Sequence, residues 1–331
     1  MQWSSKTSSS GSDGADFPCS DGGTVYPLSG LPLGQPGESL SGSLPGSFLG
    51  RTSWGRESAP IGLFDSGVGG VTVLRELYEQ MPHESVVYFG DTARLPYGKR
   101  SAEEIIEFAH EILEWMGQQG VKMVIMACNT SSALALEAVQ GKYDFPILGL
   151  ILPGARAAVR NGSRIGVIST EATAKSQAYA QAIAEINAEA QVWQVGCPPF
   201  VPLIEGNRIF EAETELIVRD YLAPLLQQQI DTLVYGCTHY PYLEPVLRKI
   251  LPDSVALIDP ASHVVSAAAK ELDALGLRST SQPRPTFFAV SGQPQPFAAM
   301  ATQMLGYCPQ VEQVLLPTLI SNVASPLLDA A

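Results

Sequence analysis

The chain has 331 residues, enough for two domains of ordinary size, and 45% of them are apolar, enough to fill sizeable cores. Its formal net charge of −13 argues against nucleic acid or an anionic membrane as the main partner, but leaves a small anionic substrate open. The most apolar stretch, 145–152, is too short to cross a bilayer, so a membrane-spanning helix is excluded.

Five cysteines stand far apart along the chain. They form no CxxC pair and their number is odd, which excludes a disulfide scaffold and a zinc ribbon. This usage indicates a reducing compartment. The N-terminal region has no basic stretch followed by an apolar one, so no secretory signal is predicted and we expect a cytoplasmic protein.

Residues 1–58 differ in composition from the remainder. Serine, glycine and proline dominate, and the apolar residues follow no period. Such a segment cannot bury enough apolar surface to offset the entropy of ordering it. We therefore predict a disordered leader, with the globular part beginning near Pro60.

The first half of the globular part alternates strands with helices. Ser101 and Glu104 predict a capping box for a helix that runs to about Met116. Leucine, valine and tyrosine recur at helical spacing after a glycine-rich turn at 65–70. Strands are predicted at 61–64, 86–89 and 121–127.

Polar residues stand where the predicted strands end. Asp65, Asp91 and Cys128 each follow a buried strand. A repeated order of strand, loop and helix predicts an α/β fold with a mainly parallel sheet. Ligands of such sheets bind at the carboxyl ends of the strands, so these three residues are candidates for a site.

The second half repeats the first weakly. Residues 164–170 echo residues 60–66, and residues 233–238 echo residues 124–130. The repeat places Cys237 in the position that Cys128 holds in the first unit. If the two units face each other, their thiols can meet across one cleft.

A thiol between a strand and a helix lies near the helix N-terminus, which favours the thiolate. We therefore expect both Cys128 and Cys237 to be activated. Two opposed thiols can remove a proton from one face of a carbon and return one to the other face. The product is the mirror image of the substrate, so no redox cofactor is needed.

Four motifs resemble those of bacterial glutamate racemase, a member of the cofactor-independent aspartate/glutamate racemase superfamily. The resemblance runs from about Pro60 to about Leu316, in order and with similar spacing. The motifs are Asp65–Gly70, Pro96–Gly98, Cys128–Thr130 and Gly236–Pro241.

The resemblance implies roles for individual residues. Cys128 would deprotonate the D-enantiomer and Cys237 the L-enantiomer, with Asp65 and His239 assisting proton transfer. Glu205 resembles an accessory acid near the site. No metal or other cofactor is implied. The implied substrate-binding residues are Asp65, Ser66, Tyr97, Gly98, Asn129, Thr130, Thr238 and His239.

The resemblance also implies an architecture of two pseudo-symmetric, doubly wound α/β domains with the site between them. The first domain would comprise 60–151 and 260–316, the second 152–259, with a C-terminal tail at 317–331. A homodimer acting on L- and D-glutamate is expected. The family's role is to supply D-glutamate for peptidoglycan, and so for the cell wall and cell shape.

Other interpretations remain open. One alternative is an aspartate racemase or a racemase of another acidic amino acid. Aspartate racemase usually carries an acid where this chain has His239. A non-catalytic thiol or metal sensor could use Cys128, Cys237 and His239, although Cys-x-His is not ordinary zinc spacing. A dinucleotide enzyme is disfavoured because Thr72 stands where the third glycine of the fingerprint belongs.

Overall fold

Two parallel sheets form the framework of the protein in the computed structural model, which describes residues 55–319. The central strands are short runs, mostly apolar, that are buried on both faces, as parallel strands between helices require, whereas the edge strands are partly exposed. The strands are β1 (Ile61–Asp65), β2 (Val86–Gly90), β3 (Met123–Met126), β4 (Ile147–Gly149), β5 (Arg164–Ser169), β6 (Gln191–Gly196), β7 (Thr232–Gly236), β8 (Ala256–Ile258), β9 (Phe287–Val290) and β10 (Val311–Gln313).

The helices connect these strands in the doubly wound manner. Three short 3-10 helices, at Thr92–Arg94, Tyr97–Lys99 and Tyr240–Leu243, lie at strand ends. The α-helices are α1 (Val71–Gln80), α2 (Ala102–Gln118), α3 (Asn129–Leu134), α4 (Leu136–Val139), α5 (Ile151–Asn161), α6 (Glu171–Ser176), α7 (Ala178–Ile186), α8 (Phe200–Glu205), α9 (Ala212–Gln227), α10 (Glu244–Ile250), α11 (Pro260–Leu275) and α12 (Pro294–Leu305).

The first sheet has six strands in the order β10–β9–β2–β1–β3–β4. Apolar residues of α1, α11 and α12 cover one of its faces, and those of α2, α3 and α4 cover the other. The central strand β1 pairs with β2 and with β3. The loops that follow β1, β2 and β3 therefore lie side by side at one edge.

The second sheet has four strands in the order β6–β5–β7–β8. It is covered by α5 and α7 on one face and by α8, α9 and α10 on the other. Its strands β5 and β7 pair as β1 and β3 do in the first sheet. The predicted α/β class with parallel sheets is confirmed, and the weak sequence repeat corresponds to two similarly wound units.

Local details follow the sequence closely. Ser101 Oγ accepts the Glu104 N–H, and the Glu104 carboxylate accepts the Ser101 N–H, so the predicted capping box is present. The third strand is shorter than the predicted 121–127. Backbone hydrogen bonds nevertheless continue on either side of it, from Lys122 N to Pro60 O and from Ala127 N to Phe64 O.

The described chain begins in a turn and ends beside α2. The predicted leader lies outside the described residues except for its last four, 55–58, which form a turn. The described part of the expected tail, 317–319, packs beside α2, and Leu316 is fully buried there. All described residues belong to one compact unit, and the proposed limits of the two domains stay predictions. Within 55–319, no helix is both long enough and apolar enough to cross a bilayer.

Candidate active site

The predicted site residues collect at the carboxyl ends of the central strands. Asp65 is the last residue of β1, Cys128 stands two residues after β3, and Cys237 directly follows β7. All three are at least 94% buried. The strands β1 and β3 belong to the first sheet and β7 to the second, so the site lies where the two sheets face each other.

Asp65 connects the two sheets. Its Oδ1 accepts the N–H of Gly67 at 2.7 Å, and its Oδ2 accepts the hydroxyl of Thr238, from the second sheet, at 3.3 Å. Burial raises the pKa of Asp65 above its usual range, while the nearby charge of His239 and these hydrogen bonds oppose that rise. No lysine or arginine is among the described groups that shift the pKa of Asp65. This buried carboxyl group could therefore pair with a cationic group that enters the site.

Cys128 is a protonated thiol in the free site. Its Sγ lies 3.9 Å from Ser66 Oγ. Burial raises the pKa of Cys128 to about 12, and charges on Asp65 and Cys237 add to the rise. The expectation that the helix N-terminus would activate this thiol is wrong, because the rise in pKa from burial exceeds the lowering by the hydrogen bonds with Ser131 and Ser66.

Cys237 belongs to a chain of three side chains. Its Sγ lies 3.8 Å from His239 Nδ1, and His239 Nε2 lies 3.1 Å from Glu205 Oε1. Burial lowers the pKa of His239, but the hydrogen bonds to Cys237 and Glu205 outweigh burial and raise it to about 10. The imidazole is therefore protonated at neutral pH and places a positive charge beside the sulfur of Cys237.

The turn at 65–70 packs directly on the turn that carries Cys237. A Cβ atom at Gly69 would lie 2.5 Å from His239 Nδ1, and Thr72 Oγ1 donates to Thr238 O at 3.3 Å. Only a residue without a side chain fits this approach. The glycine-rich turn thus brings Asp65 close to the turn that carries Cys237 and His239, rather than binding a nucleotide.

Tyr97 and Gly98 form a second contact between the sheets. The Tyr97 hydroxyl donates to Asp91 and is buried, so its side chain is already engaged within the first sheet. A Cβ atom at Gly98 would lie 3.1 Å from Thr170 Cβ. These residues can therefore face a substrate mainly through their backbone N–H groups.

Thr130 and Asn129 are held by residues that the sequence analysis did not single out. Thr130 Oγ1 lies 2.9 Å from Thr170 Oγ1 and 3.2 Å from Thr173 Oγ1, and Asn129 Oδ1 accepts the Tyr179 hydroxyl at 2.7 Å. Thr170 occupies the place in the second unit that Ser66 holds in the first. The repeat could have identified it, whereas nothing local marks Tyr179.

Two further observations delimit the site. Among residues 55–319, no group of three or more histidine, cysteine, aspartate or glutamate side chains is arranged to hold a metal ion. A groove of about 550 Å³ lies elsewhere, between the end of α2 and residues 142–145, and contains none of the predicted site residues. The buried cluster of Asp65, Cys128, Cys237 and His239 is therefore the candidate active site among the described residues.

The arrangement defines a class: a two-sheet α/β protein with one thiol from each sheet in a buried polar cleft. The model of the family Asp/Glu/Hydantoin racemase matches residues 64–268, and the chain belongs to that family.

Known relatives agree with this assignment. The glutamate racemase of Gloeothece citriformis is 63% identical over 269 residues, which cover 81% of this chain and 97% of that relative. A glutamate racemase isoform of Bacillus anthracis is 37% identical with a TM-score of 0.76, covering 79% of this chain and 99% of the other. The Francisella tularensis glutamate racemase, solved in complex with D-glutamate, is 35% identical with a TM-score of 0.74, covering 78% and 98%.

Proposed function

We propose that this chain is a glutamate racemase that interconverts L- and D-glutamate by proton transfer at Cα, using two cysteines and no cofactor. The observation that carries the proposal is the placement of Cys128 and Cys237 at equivalent strand ends of two facing sheets. The high identity to glutamate racemases over most of their length supports the choice of substrate.

The reaction needs one thiolate and one thiol. With L-glutamate bound, the Cys237 thiolate takes the Cα proton, and the electron pair of the C–H bond stays on the carbon. Cys128 then gives its proton to the opposite face, which yields D-glutamate, a Cys237 thiol and a Cys128 thiolate. The reverse sequence starts from D-glutamate with the Cys128 thiolate and the Cys237 thiol. Between two turnovers in the same direction, Cys237 loses its proton to solvent and Cys128 takes one up, which restores the starting state.

The free site is prepared for one of these two states. The raised pKa of Cys128 keeps its proton in place, ready for donation, while the protonated imidazole of His239 lies beside Cys237. Glu205 keeps that imidazole charged and oriented. This asymmetry suits the reaction that starts from L-glutamate. For the reaction that starts from D-glutamate, the substrate ammonium group beside Asp65 would ease formation of the Cys128 thiolate.

Substrate binding would use neutral donors. Ser66, Asn129, Thr130 and Thr238, together with the N–H groups of the 97–98 segment, can bind carboxylates without a mobile cation. Asp65 would receive the ammonium group. Closing the cleft would exclude water from the reacting carbon and the two thiols.

The biological setting is part of the same proposal. D-Glutamate would serve peptidoglycan synthesis and hence the cell wall and cell shape. We also propose a cytoplasmic location and a homodimer. Size-exclusion chromatography with light scattering would check the homodimer.

The first experiment is an optical one. Purified protein, without pyridoxal phosphate or metal, is incubated with L-glutamate and separately with L-aspartate while circular dichroism is followed. Decay to zero with glutamate alone supports the proposal. Decay with aspartate alone would favour the aspartate racemase alternative. No decay with either, in folded and reduced protein, would contradict racemase activity and favour a thiol-based binding role.

Single cysteine variants test the mechanism. Cys128→Ala and Cys237→Ala should each reduce racemisation by more than about 1000-fold, because a lone base cannot serve both faces. Cys197→Ala is the matched control: Cys197 is also a buried free cysteine that follows a strand, but its Sγ donates to the Val195 carbonyl and it has no proposed role in proton transfer. Turnover near the wild-type rate in either active-site variant would overturn the two-thiol mechanism.

A further inference from the structure

A continuous series of polar contacts links Tyr97, in the segment 96–98, to the last described residues of the chain. It runs from Tyr97 through Asp91, Arg94 and Glu111 to Thr318. We refer to Asp91, Arg94, Glu111 and Thr318 as the Arg94 clamp. None of these four residues belongs to the proposed proton-transfer groups, yet the clamp ends at a segment proposed to bind substrate.

Asp91 is the inner end of the clamp and is fully buried. Its Oδ2 accepts the Tyr97 hydroxyl and the Arg94 Nε–H, the latter at 2.7 Å. Its Oδ1 accepts the hydroxyl of Ser291, at the end of β9, at 2.7 Å. A carboxylate buried this deeply needs such partners, so the position of Tyr97 depends on how Asp91 is held.

Arg94 connects the inner and outer carboxylates. Its side chain is 5% exposed, and its Nη1 lies 2.5 Å from Glu111 Oε2. The guanidinium carbon lies 4.1 Å from the ring centroid of Phe108, and the Tyr97 ring packs 5.8 Å from the same ring. Arg94 and Tyr97 are therefore coupled twice, through Asp91 and through Phe108.

Thr318 closes the outer end. Its N–H donates to Glu111 Oε1 and its hydroxyl to Glu111 Oε2, both at 2.7 Å, and Arg94 Nη1 lies 3.2 Å from the same hydroxyl. Leu316, two residues earlier, is buried against the same helix. The end of the described chain thus fixes the carboxylate that in turn fixes Arg94.

We infer that Arg94 is a positioning residue for the substrate-binding segment 96–98, and that Thr318 contributes to substrate affinity through it. This inference rests on the proposed function, because it assumes that the Tyr97 and Gly98 backbone N–H groups bind the substrate. Arg94 itself touches neither thiol, so its effect falls on binding rather than on proton transfer.

Hydrogen exchange tests the positioning directly and needs no activity. Amide exchange of residues 94–100 is measured by mass spectrometry in the full chain. Thr318→Val should speed exchange there at least about threefold, because the Oγ donor to Glu111 is lost at nearly constant volume. Thr318→Ser keeps the hydroxyl and should exchange like the wild type.

Thr302→Val is the matched control, since Thr302 is a half-buried threonine of α12 whose hydroxyl donates to the Ala298 carbonyl. It should leave exchange at 94–100 unchanged. Equal exchange in Thr318→Val and the wild type would overturn the inference, whether or not the protein racemises glutamate.

Kinetics test the link to substrate. Thr318→Val should raise KM for both enantiomers about threefold to tenfold and change kcat less than twofold, and Thr318→Ser should restore KM. Arg94→Lys keeps the charge but cannot span Asp91 and Glu111, so its KM should rise further. Faster exchange with unchanged KM, or a loss confined to kcat, would contradict the role in substrate positioning. An inactive wild type would contradict the proposed function, while hydrogen exchange would still decide whether the clamp orders the segment.

Discussion

His239 is the residue whose charge we expect to matter most to pH dependence. Its pKa is about 10 in the folded protein, against an ordinary value near 6.5 in an unfolded chain. Because the folded value is the higher, the stabilisation is fully present below about pH 6.5 and is lost as pH rises through about 10. Urea unfolding of the wild type and His239→Gln should therefore differ most in neutral or acidic buffer and least above pH 10.

The partner of His239 provides a control for that experiment. Glu205→Gln removes the carboxylate that helps to keep the imidazole protonated. The stabilisation by protonated His239 should be lost at a lower pH in this variant than in the wild type, because the pKa of His239 falls without Glu205. A stability difference between wild type and His239→Gln that stays constant from pH 6 to 10.5 would contradict a charged His239.

The residues of the candidate site can be predicted from the sequence more readily than their protonation states. The motifs and the strand ends predicted that Asp65, Cys128 and Cys237 would come together, because parallel strands share one edge for their carboxyl ends. The protonation of Cys128 could not be predicted, since it depends on how deeply the folded chain buries the thiol. Contacts such as that of Thr318 with Glu111 join residues about 200 positions apart and leave no local pattern.

The turn between β1 and α1 is the element that sets the approach of the two sheets. Gly69→Ala would place a methyl group 2.5 Å from His239 Nδ1 and force the turns apart. A displacement of about 1 Å at reacting groups can reduce the rate by about 100-fold, so we expect a loss of that size in kcat/KM. Steady-state racemisation checks this prediction, with circular dichroism as the test of folding.

A second glycine gives the matched control. Gly117 lies inside α2, where a Cβ atom would make an ordinary contact of 3.5 Å with Phe145. Gly117→Ala should leave kcat/KM unchanged and raise the free energy of unfolding by about 0.5–1 kcal/mol, because alanine restricts the unfolded chain. A loss of activity as large as that of Gly69→Ala would show that the turn is not special.

At the scale of the whole molecule, Lys122 ties distant parts of the first sheet together. Its ammonium lies 2.5 Å from the carboxylate of Glu84, and it donates to the carbonyls of Glu57 at 2.6 Å and Leu277 at 2.8 Å. Lys122→Met should destabilise the protein by about 3 kcal/mol, because the buried Glu84 carboxylate keeps only Arg278 Nε, at 3.9 Å, as a cationic neighbour among the described residues. Urea unfolding at pH 7 measures this loss.

A second substitution separates the charge from the packing at this place. Adding Glu84→Gln to Lys122→Met removes the charge of the buried carboxylate and should recover a substantial part of the lost stability. If the loss of stability in the double variant equals the sum of the losses in the two single variants, the explanation by an unpaired charge is wrong.

The arrangement of the strands also has a consequence for how the protein is made. The second sheet is continuous in sequence, so all its strands have been synthesised once Ile258 has been added, and they leave the ribosome before β9 and β10 do. The first sheet needs β9 against β2, which joins Phe287 to Val87. Its first four strands must therefore wait, with the β2 edge exposed, while the second sheet can already form. The smaller sheet is thus expected to fold first during synthesis and the larger one to close last, although the larger sheet begins nearer the N-terminus.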